Sequence, residues 1–93
     1  MRQGPDTLKK LMQHDRMDVR IAAAQAVGSK KLRLAPELIA LLQDSGEDVR
    51  QAARRALVQI ANGTDYGPAA DASSSERQDA YAAWRDWWSR QKK

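Results

Sequence analysis

Six basic side chains are the residues of this chain best suited to bind a ligand. They are Arg50, Arg54, Arg55, Lys30, Lys31 and Arg33. The three arginines fall within one predicted helix, where the four-residue spacing of Arg50 and Arg54 places them on a common face. Guanidinium and ammonium groups bind carboxylates and phosphates, so this set is the candidate site for an anionic partner. A solvated charged face is the alternative interpretation.

Residues suited to catalysis or metal binding are scarce. The 93-residue chain has no cysteine and a single histidine, His14. A zinc or iron site would therefore consist almost entirely of carboxylates, which is not how proteins usually hold these metals. We expect no metal, no cofactor and no enzymatic activity, and we interpret His14 as a solvated turn residue.

An internal repeat sets the positions of these arginines. The phrase "DVRIAAAQAV" begins at Asp18, and "DVRQAARRAL" begins thirty residues later at Asp48. The same offset aligns Leu8 with Leu38 upstream of the phrase. Matches in two separate blocks at one offset predict a structural repeat rather than a site that occurs twice.

Each copy of the repeat is predicted to form two helices. Apolar residues recur at helical spacing and are followed by turn-forming residues. This pattern predicts helices over about 5–13, 18–28, 34–43 and 48–61, with both repeats contained in residues 1–62. The second helix of each copy is rich in alanine, and such small residues let neighbouring helices approach closely.

The two copies read "LMQHDRMDVRIAAAQAVG" and "LLQDSGEDVRQAARRAL". They resemble the short HEAT-like repeat that is found in phycobilin lyases and in many bacterial proteins. The resemblance covers residues 5–62 and implies an all-α fold, namely a short α-solenoid of two helical hairpins.

The resemblance also implies a structural role for part of the repeated phrase. Asp18, Arg20 and Asp48 occupy positions that resemble the Asp/Arg ladder of the family, which ties neighbouring repeats together. Arg50 is the second-copy equivalent of Arg20. The first copy departs from the second at the turn, where His14 replaces a carboxylate.

The last third of the chain has a different composition. Residues 63–74 contain Gly-Pro and a serine run and predict a loop, and residues 75–91 predict a helix. We assign 75–93 as a C-terminal capping unit within one structural domain. Its aromatic face, which we expect to cover the open end of the second repeat, consists of Tyr81, Trp84, Trp87 and Trp88.

Three other functions are open to this aromatic face. It could bind a partner protein, stack on nucleic-acid bases or insert at a membrane surface. Residues 63–93 carry five basic and five acidic side chains. A net charge of zero argues against the last two functions, so we expect no membrane insertion.

The second helices of the two copies differ on one face. Ile21 and Ala24 in the first copy correspond to the polar Gln51 and Arg54 in the second. The extra apolar face predicts an upstream neighbour, so that the chain would be the C-terminal part of a longer solenoid. If upstream repeats are missing, this face could either be left open or be buried in a homodimer through Ile21 and Ala24. A complete chain would be cytoplasmic, because it begins without a secretory signal.

The sequence therefore predicts a non-catalytic scaffold that binds another protein. A nucleic-acid-binding repeat that uses the basic residues is the first alternative. A subunit of the phycobilin-lyase kind is the second, and it depends on the repeat alone.

Overall fold

A computed structural model describes residues 4–91 of the chain, and these residues form five α-helices. The helices are α1 (Pro5–Leu11), α2 (Met17–Ser29), α3 (Ala35–Leu41), α4 (Glu47–Ile60) and α5 (Ser74–Gln91). No strand occurs within this range, so the all-α prediction is confirmed. The predicted capping unit ran to residue 93, and its last two residues lie outside the described residues.

The first four helices form two hairpins, which stack as a short α-solenoid. Helix α1 packs on α2, and α3 packs on α4. The most extensive contact between helices joins α2 to α4, so the second helices hold the two repeats together. Equivalent positions thirty residues apart are buried in both copies, namely Leu8 and Leu38, Met12 and Leu42, Ala23 and Ala53, and Val27 and Leu57.

The contact between α2 and α4 depends on a glycine. The predicted helix ends at residue 28, and α2 ends one residue later, at Ser29. A Cβ atom at Gly28 would lie 2.7 Å from the Cα of Ala56, which is closer than carbon atoms approach. Gly28 is therefore a packing residue inside the helix, and its missing side chain lets α4 approach.

Helix α5 packs against α3 through its aromatic face. Trp84 is completely buried and Trp87 nearly so, and both belong to the hydrophobic core that the hairpins form. Tyr81 and Trp88 are partly buried against the same core. The segment before α5 passes over α4, where the side-chain amide of Gln51 donates a 3.2 Å hydrogen bond to the carbonyl of Pro68.

The expectation that Ile21 and Ala24 form an open apolar face is wrong. Ala24 has no exposed surface, because it belongs to the core of the two hairpins. Ile21 is partly buried against that core as well. Ala24 therefore has no surface to offer a second copy of the chain, and of the two predicted contact residues only Ile21 is partly exposed.

Candidate functional site

The turns before α2 and α4 hold an arginine in the same way. Nη1 of Arg20 donates a 2.6 Å hydrogen bond to the carbonyl of His14. Thirty residues later, Nη1 of Arg50 donates a 2.8 Å hydrogen bond to the carbonyl of Asp44. Each arginine therefore folds back from its helix and satisfies carbonyl groups of its own turn.

Arg20 also joins the first repeat to the second. Its Nη2 donates to Oδ2 of Asp44 over 3.3 Å. Its Nε lies 3.0 Å from Oδ1 of the same carboxylate, an ion-pair contact whose angle falls short of a hydrogen bond. The two side chains are only 14% and 13% exposed, so this pair is shielded from solvent far more than a surface salt bridge.

The two aspartates predicted for the Asp/Arg ladder do not pair with Arg20 or Arg50 among residues 4–91. Asp18 is exposed and pairs with Arg16 at 2.8 Å, within its own turn. The hydrogen bond from Arg16 holds the Asp18 pKa below its ordinary value. Asp48 is exposed, and no ion pair involves it among residues 4–91. The aspartate that faces Arg20 is Asp44, which the thirty-residue offset marked only as a turn carboxylate missing from the first copy.

His14 reproduces the local hydrogen bond of Asp44 without its charge. The backbone N–H of Gly46 donates to Oδ2 of Asp44 over 2.9 Å. In the first turn, the N–H of Arg16 donates to Nδ1 of His14 over 3.1 Å. An imidazole can therefore close the turn, but it offers no carboxylate to an arginine.

Arg54 is held by the segment between α4 and α5, residues 61–73, which we call the C-terminal loop. Its Nη2 and Nε lie 2.8 and 3.0 Å from the two carboxylate oxygens of Asp65, and Nη1 donates to the carbonyl of Pro68 over 3.1 Å. The side-chain hydrogen bonds between them raise the pKa of Arg54 and lower the pKa of Asp65. Arg54 thus fastens the loop to α4, and its donors are largely satisfied within the chain.

Two of the three basic residues between the repeats are also engaged. Nζ of Lys31 donates to Oδ1 of Asn62 over 3.0 Å, which ties the end of α2 to the end of α4. The guanidinium of Arg33 lies 5.0 Å from the ring centroid of Trp88, a distance typical of a cation–π contact. Lys30 is exposed, and no ion pair involves it among residues 4–91.

Arg55 lines a groove on the surface of the two second helices. The groove runs between α2 and α4, has a volume of about 540 Å³ and is lined by Gln25, Ser29, Ala52, Arg55, Ala56 and Gln59. We call it the α2–α4 groove. Its rim residues Gln25, Ser29, Arg55 and Gln59 are exposed, whereas its floor is formed by alanines that are buried. This surface offers amides, a hydroxyl and a guanidinium to a ligand.

The tryptophans of α5 form an edge-to-face cluster. Trp84 contacts Tyr66 at a centroid distance of 5.0 Å and Trp87 at 5.5 Å, with ring planes nearly perpendicular. The indole N–H of Trp84 donates a 2.8 Å hydrogen bond to the carbonyl of Gly67. The cluster thus binds the C-terminal loop to α5, and the buried ring of Trp84 is not available to a partner.

Among residues 4–91, no group of three or more acidic or histidine side chains is placed to hold a metal ion. No helix in this range has the length and hydropathy that crossing a bilayer requires.

Comparison with known families agrees with this architecture. The sequence profile of the HEAT repeats family matches residues 5–83, which is most of the chain. The chain therefore belongs to the HEAT repeats family, whose members typically bind other proteins and are generally non-catalytic. The match extends beyond residue 62, where the resemblance ended, into the first half of α5. No curated protein and no solved structure matches the chain significantly.

Proposed function

We propose that this chain is a non-catalytic interaction module and that the α2–α4 groove binds a partner protein. The observation that carries the proposal is the exposed rim of the groove, where Arg55 stands among Gln25, Ser29 and Gln59 above a floor of small residues. Arginine is enriched at the centres of protein interfaces. The amides can pair with the backbone or the side chains of a bound segment.

Several of the six predicted basic residues make contacts within the chain, so fewer of them are free to contact a partner. Of the six predicted residues, Arg54 is paired with Asp65, Arg33 contacts Trp88, and Arg50 is anchored by its own turn. Lys30 and Arg55 are the members of the set without a side-chain hydrogen bond, an ion pair or a cation–π contact among residues 4–91. We infer that Arg55 makes the charged contact of the α2–α4 groove, and that Lys30 is a second cation available to a partner.

The burial of the aromatic residues of α5 supports a capping role for this helix. Trp84 and Trp87 are buried against the hairpins, and Tyr81 and Trp88 flank them. We propose that these four residues cover the open end of the second repeat. A partner-binding role for the aromatic face has less support, because most of its surface is already covered.

Nucleic-acid binding along the basic face is the alternative. It has less support, because few of the predicted basic side chains are free to bind phosphates. A protein that neutralises phosphates needs several free cations along one surface, and its affinity then falls steeply with salt. The arginines at positions 33, 50 and 54 are instead engaged within the chain. The phycobilin-lyase alternative depends on the repeat pattern, and no feature of the described residues favours it.

A capture experiment tests the proposal. The full chain, Arg55→Glu and the control Lys10→Glu, which alters an exposed lysine on α1, are immobilised and exposed to cell extract. We expect a protein that the wild type and Lys10→Glu retain and that Arg55→Glu loses. The captured protein is then purified, and its affinity for the three variants is measured by calorimetry.

Two results would contradict the proposal. Equal retention by Arg55→Glu would exclude the α2–α4 groove as the binding surface. Retention of nucleic acid with a steep salt dependence, and of no protein, would favour the alternative instead.

A further inference from the structure

A second cavity lies where the turn before α4 meets the start of α5. It has a volume of about 470 Å³ and is lined by Arg50, Arg77, Gln43, Ser45, Ser74 and Gln78, with Asp44 at one side. We call it the Arg50–Arg77 cavity. Its lining is predominantly polar, and it contains two guanidinium groups that come from different helices.

The repeat supplies a direct comparison for Arg50. Its equivalent, Arg20, uses Nη1 for its own turn and places Nη2 and Nε on the carboxylate of Asp44 in the next repeat. Arg50 uses Nη1 for its own turn in the same way. No acceptor meets its other two nitrogens among residues 4–91, and the nearby Ser74, which lines the same cavity, is uncharged.

Arg77 adds a second fixed cation to the cavity. Its Nη1 donates to the carbonyl of Ala72 over 3.1 Å, and its Nη2 donates to Oγ of Ser74 over 3.2 Å. The carboxylate of Asp44 does not neutralise these two guanidinium groups, since it is already paired with Arg20 at 3.0 Å. The cavity therefore has an excess of positive charge and lacks the anion that the preceding repeat contains.

We propose that the Arg50–Arg77 cavity binds an aspartate or glutamate side chain of an acidic partner segment. The incoming carboxylate takes the place that the carboxylate of Asp44 has beside Arg20. Arginine's planar guanidinium matches a carboxylate in a bidentate arrangement. This assignment rests on the proposed interaction function and specifies the chemistry of the partner.

Binding of a defined peptide tests the site directly. An N-acetylated, C-amidated hexaglutamate peptide is titrated into the full chain, and chemical shifts of the arginine Nε–H groups are followed by NMR. We expect saturable shifts at Arg50 and Arg77. A hexaglutamine peptide of the same length is the matched control and should cause none. Inorganic phosphate is titrated separately, because a site specific for a carboxylate segment should bind it at least tenfold more weakly than the peptide.

Substitutions identify which cations bind the peptide. Arg77→Gln should weaken hexaglutamate binding about tenfold, which is the loss of about 1.4 kcal/mol of binding free energy. Arg50→Gln should have a similar effect, provided that circular dichroism shows an unchanged helix content. Arg55→Gln, in the α2–α4 groove, is the control and should bind the peptide as the wild type does.

A substitution at Ser74 can supply the missing carboxylate within the chain. We expect Ser74→Asp to raise the melting temperature and to abolish peptide binding, because its own carboxylate occupies the cavity. Ser75→Asp places the same charge on the neighbouring exposed residue, which does not line the cavity. It therefore controls for the general effect of a negative charge near the helix N-terminus.

The possible outcomes separate this assignment from the proposed function. Equal peptide binding by the wild type, Arg77→Gln and Ser74→Asp would overturn the cavity assignment and leave the α2–α4 groove unaffected. Binding of phosphate but not of hexaglutamate would also overturn it. Loss of peptide binding in Arg55→Gln, with wild-type binding in Arg77→Gln, would overturn the cavity assignment and show that the acidic segment binds in the α2–α4 groove.

Discussion

The guanidinium of Arg20 and the carboxylate of Asp44 form a shielded ion pair that links the two repeats, with Nε lying 3.0 Å from Oδ1. Few other polar contacts cross this boundary, where most of the contact between α2 and α4 is apolar. The pair fixes the separation of the two turns, because both partners are also hydrogen-bonded to turn backbone.

Replacing Asp44 by asparagine should destabilise the fold. Asparagine keeps an oxygen for the N–H of Gly46 but leaves the charge of Arg20 without its partner. Hydrogen bonds to charged groups contribute about 1.5–3 kcal/mol, so we expect Asp44→Asn to lower the free energy of unfolding by about 2 kcal/mol. Urea denaturation followed by circular dichroism measures this change.

The matched control for that substitution is Asp48→Asn. Asp48 is an exposed aspartate four residues away, and it forms no ion pair within residues 4–91. Its substitution should change the stability by less than about 0.5 kcal/mol. A loss as large as that of Asp44→Asn would mean that charge at the start of α4, rather than the pair with Arg20, stabilises the fold.

The tryptophans of α5 should differ in their contributions. Trp84→Phe removes the hydrogen bond to Gly67 and leaves a cavity in the core, so it should cost about 2–3 kcal/mol. The buried indole N–H of Trp88 has no acceptor among residues 4–91. Trp88→Phe removes that uncompensated polar group along with the contact to Arg33, and the net loss should be less than about 1 kcal/mol.

Chemical denaturation of the two variants measures this difference. Tryptophan fluorescence changes with either substitution, so far-UV circular dichroism is the better probe of unfolding. Equal losses for the two variants would contradict the assignment of Trp84 as the ring that holds the loop in place.

The hairpins were predictable because their signal is local and occurs twice. Apolar spacing, turn residues and the thirty-residue offset placed the first four helices to within a few residues. The partner of Arg20 was not predictable in the same way. The phrase that repeats contains Asp18 and Asp48, whereas Asp44 lies before it and has no acidic equivalent in the first copy.

The sequence also did not predict which basic residues would be paired within the chain. Spacing placed Arg50 and Arg54 on one face of α4, but only the path of the loop decides that Asp65 reaches Arg54. The apolar character of Ala24 likewise indicated an open surface, and tertiary packing buries it. Contacts between segments far apart in the chain therefore decided which basic residues remain for a partner.

The pair between Arg54 and Asp65 should make the stability depend on pH. Because Arg54 holds the Asp65 pKa below its ordinary value of about 3.9, the ionised form favours the folded state. This contribution is complete above the ordinary pKa and is lost as the pH falls through the lower folded-state pKa. The pair is partly exposed, so its contribution at neutral pH should be below about 1 kcal/mol.

A pH series with Asp65→Asn tests this dependence. The variant should be less stable than the wild type at about pH 6, and the difference should disappear towards about pH 2. Asp71→Asn, an exposed substitution in the same loop, is the control and should not change the shape of the pH profile. A difference between wild type and Asp65→Asn that grows in acid would contradict the sign of the shift.

Replacing Gly28 by alanine should separate α2 from α4. Alanine favours a helix interior over glycine by about 0.5–1 kcal/mol, but its Cβ would lie 2.7 Å from the Cα of Ala56. That atom belongs to backbone and cannot turn aside, so the helices must shift, at a typical cost of about 1–3 kcal/mol for an overpacked core. We expect a net loss of about 1 kcal/mol in urea denaturation. Ser29→Ala, on the exposed neighbour, should have no such cost, and a Gly28→Ala variant more stable than the wild type would show that the two helices can move apart freely.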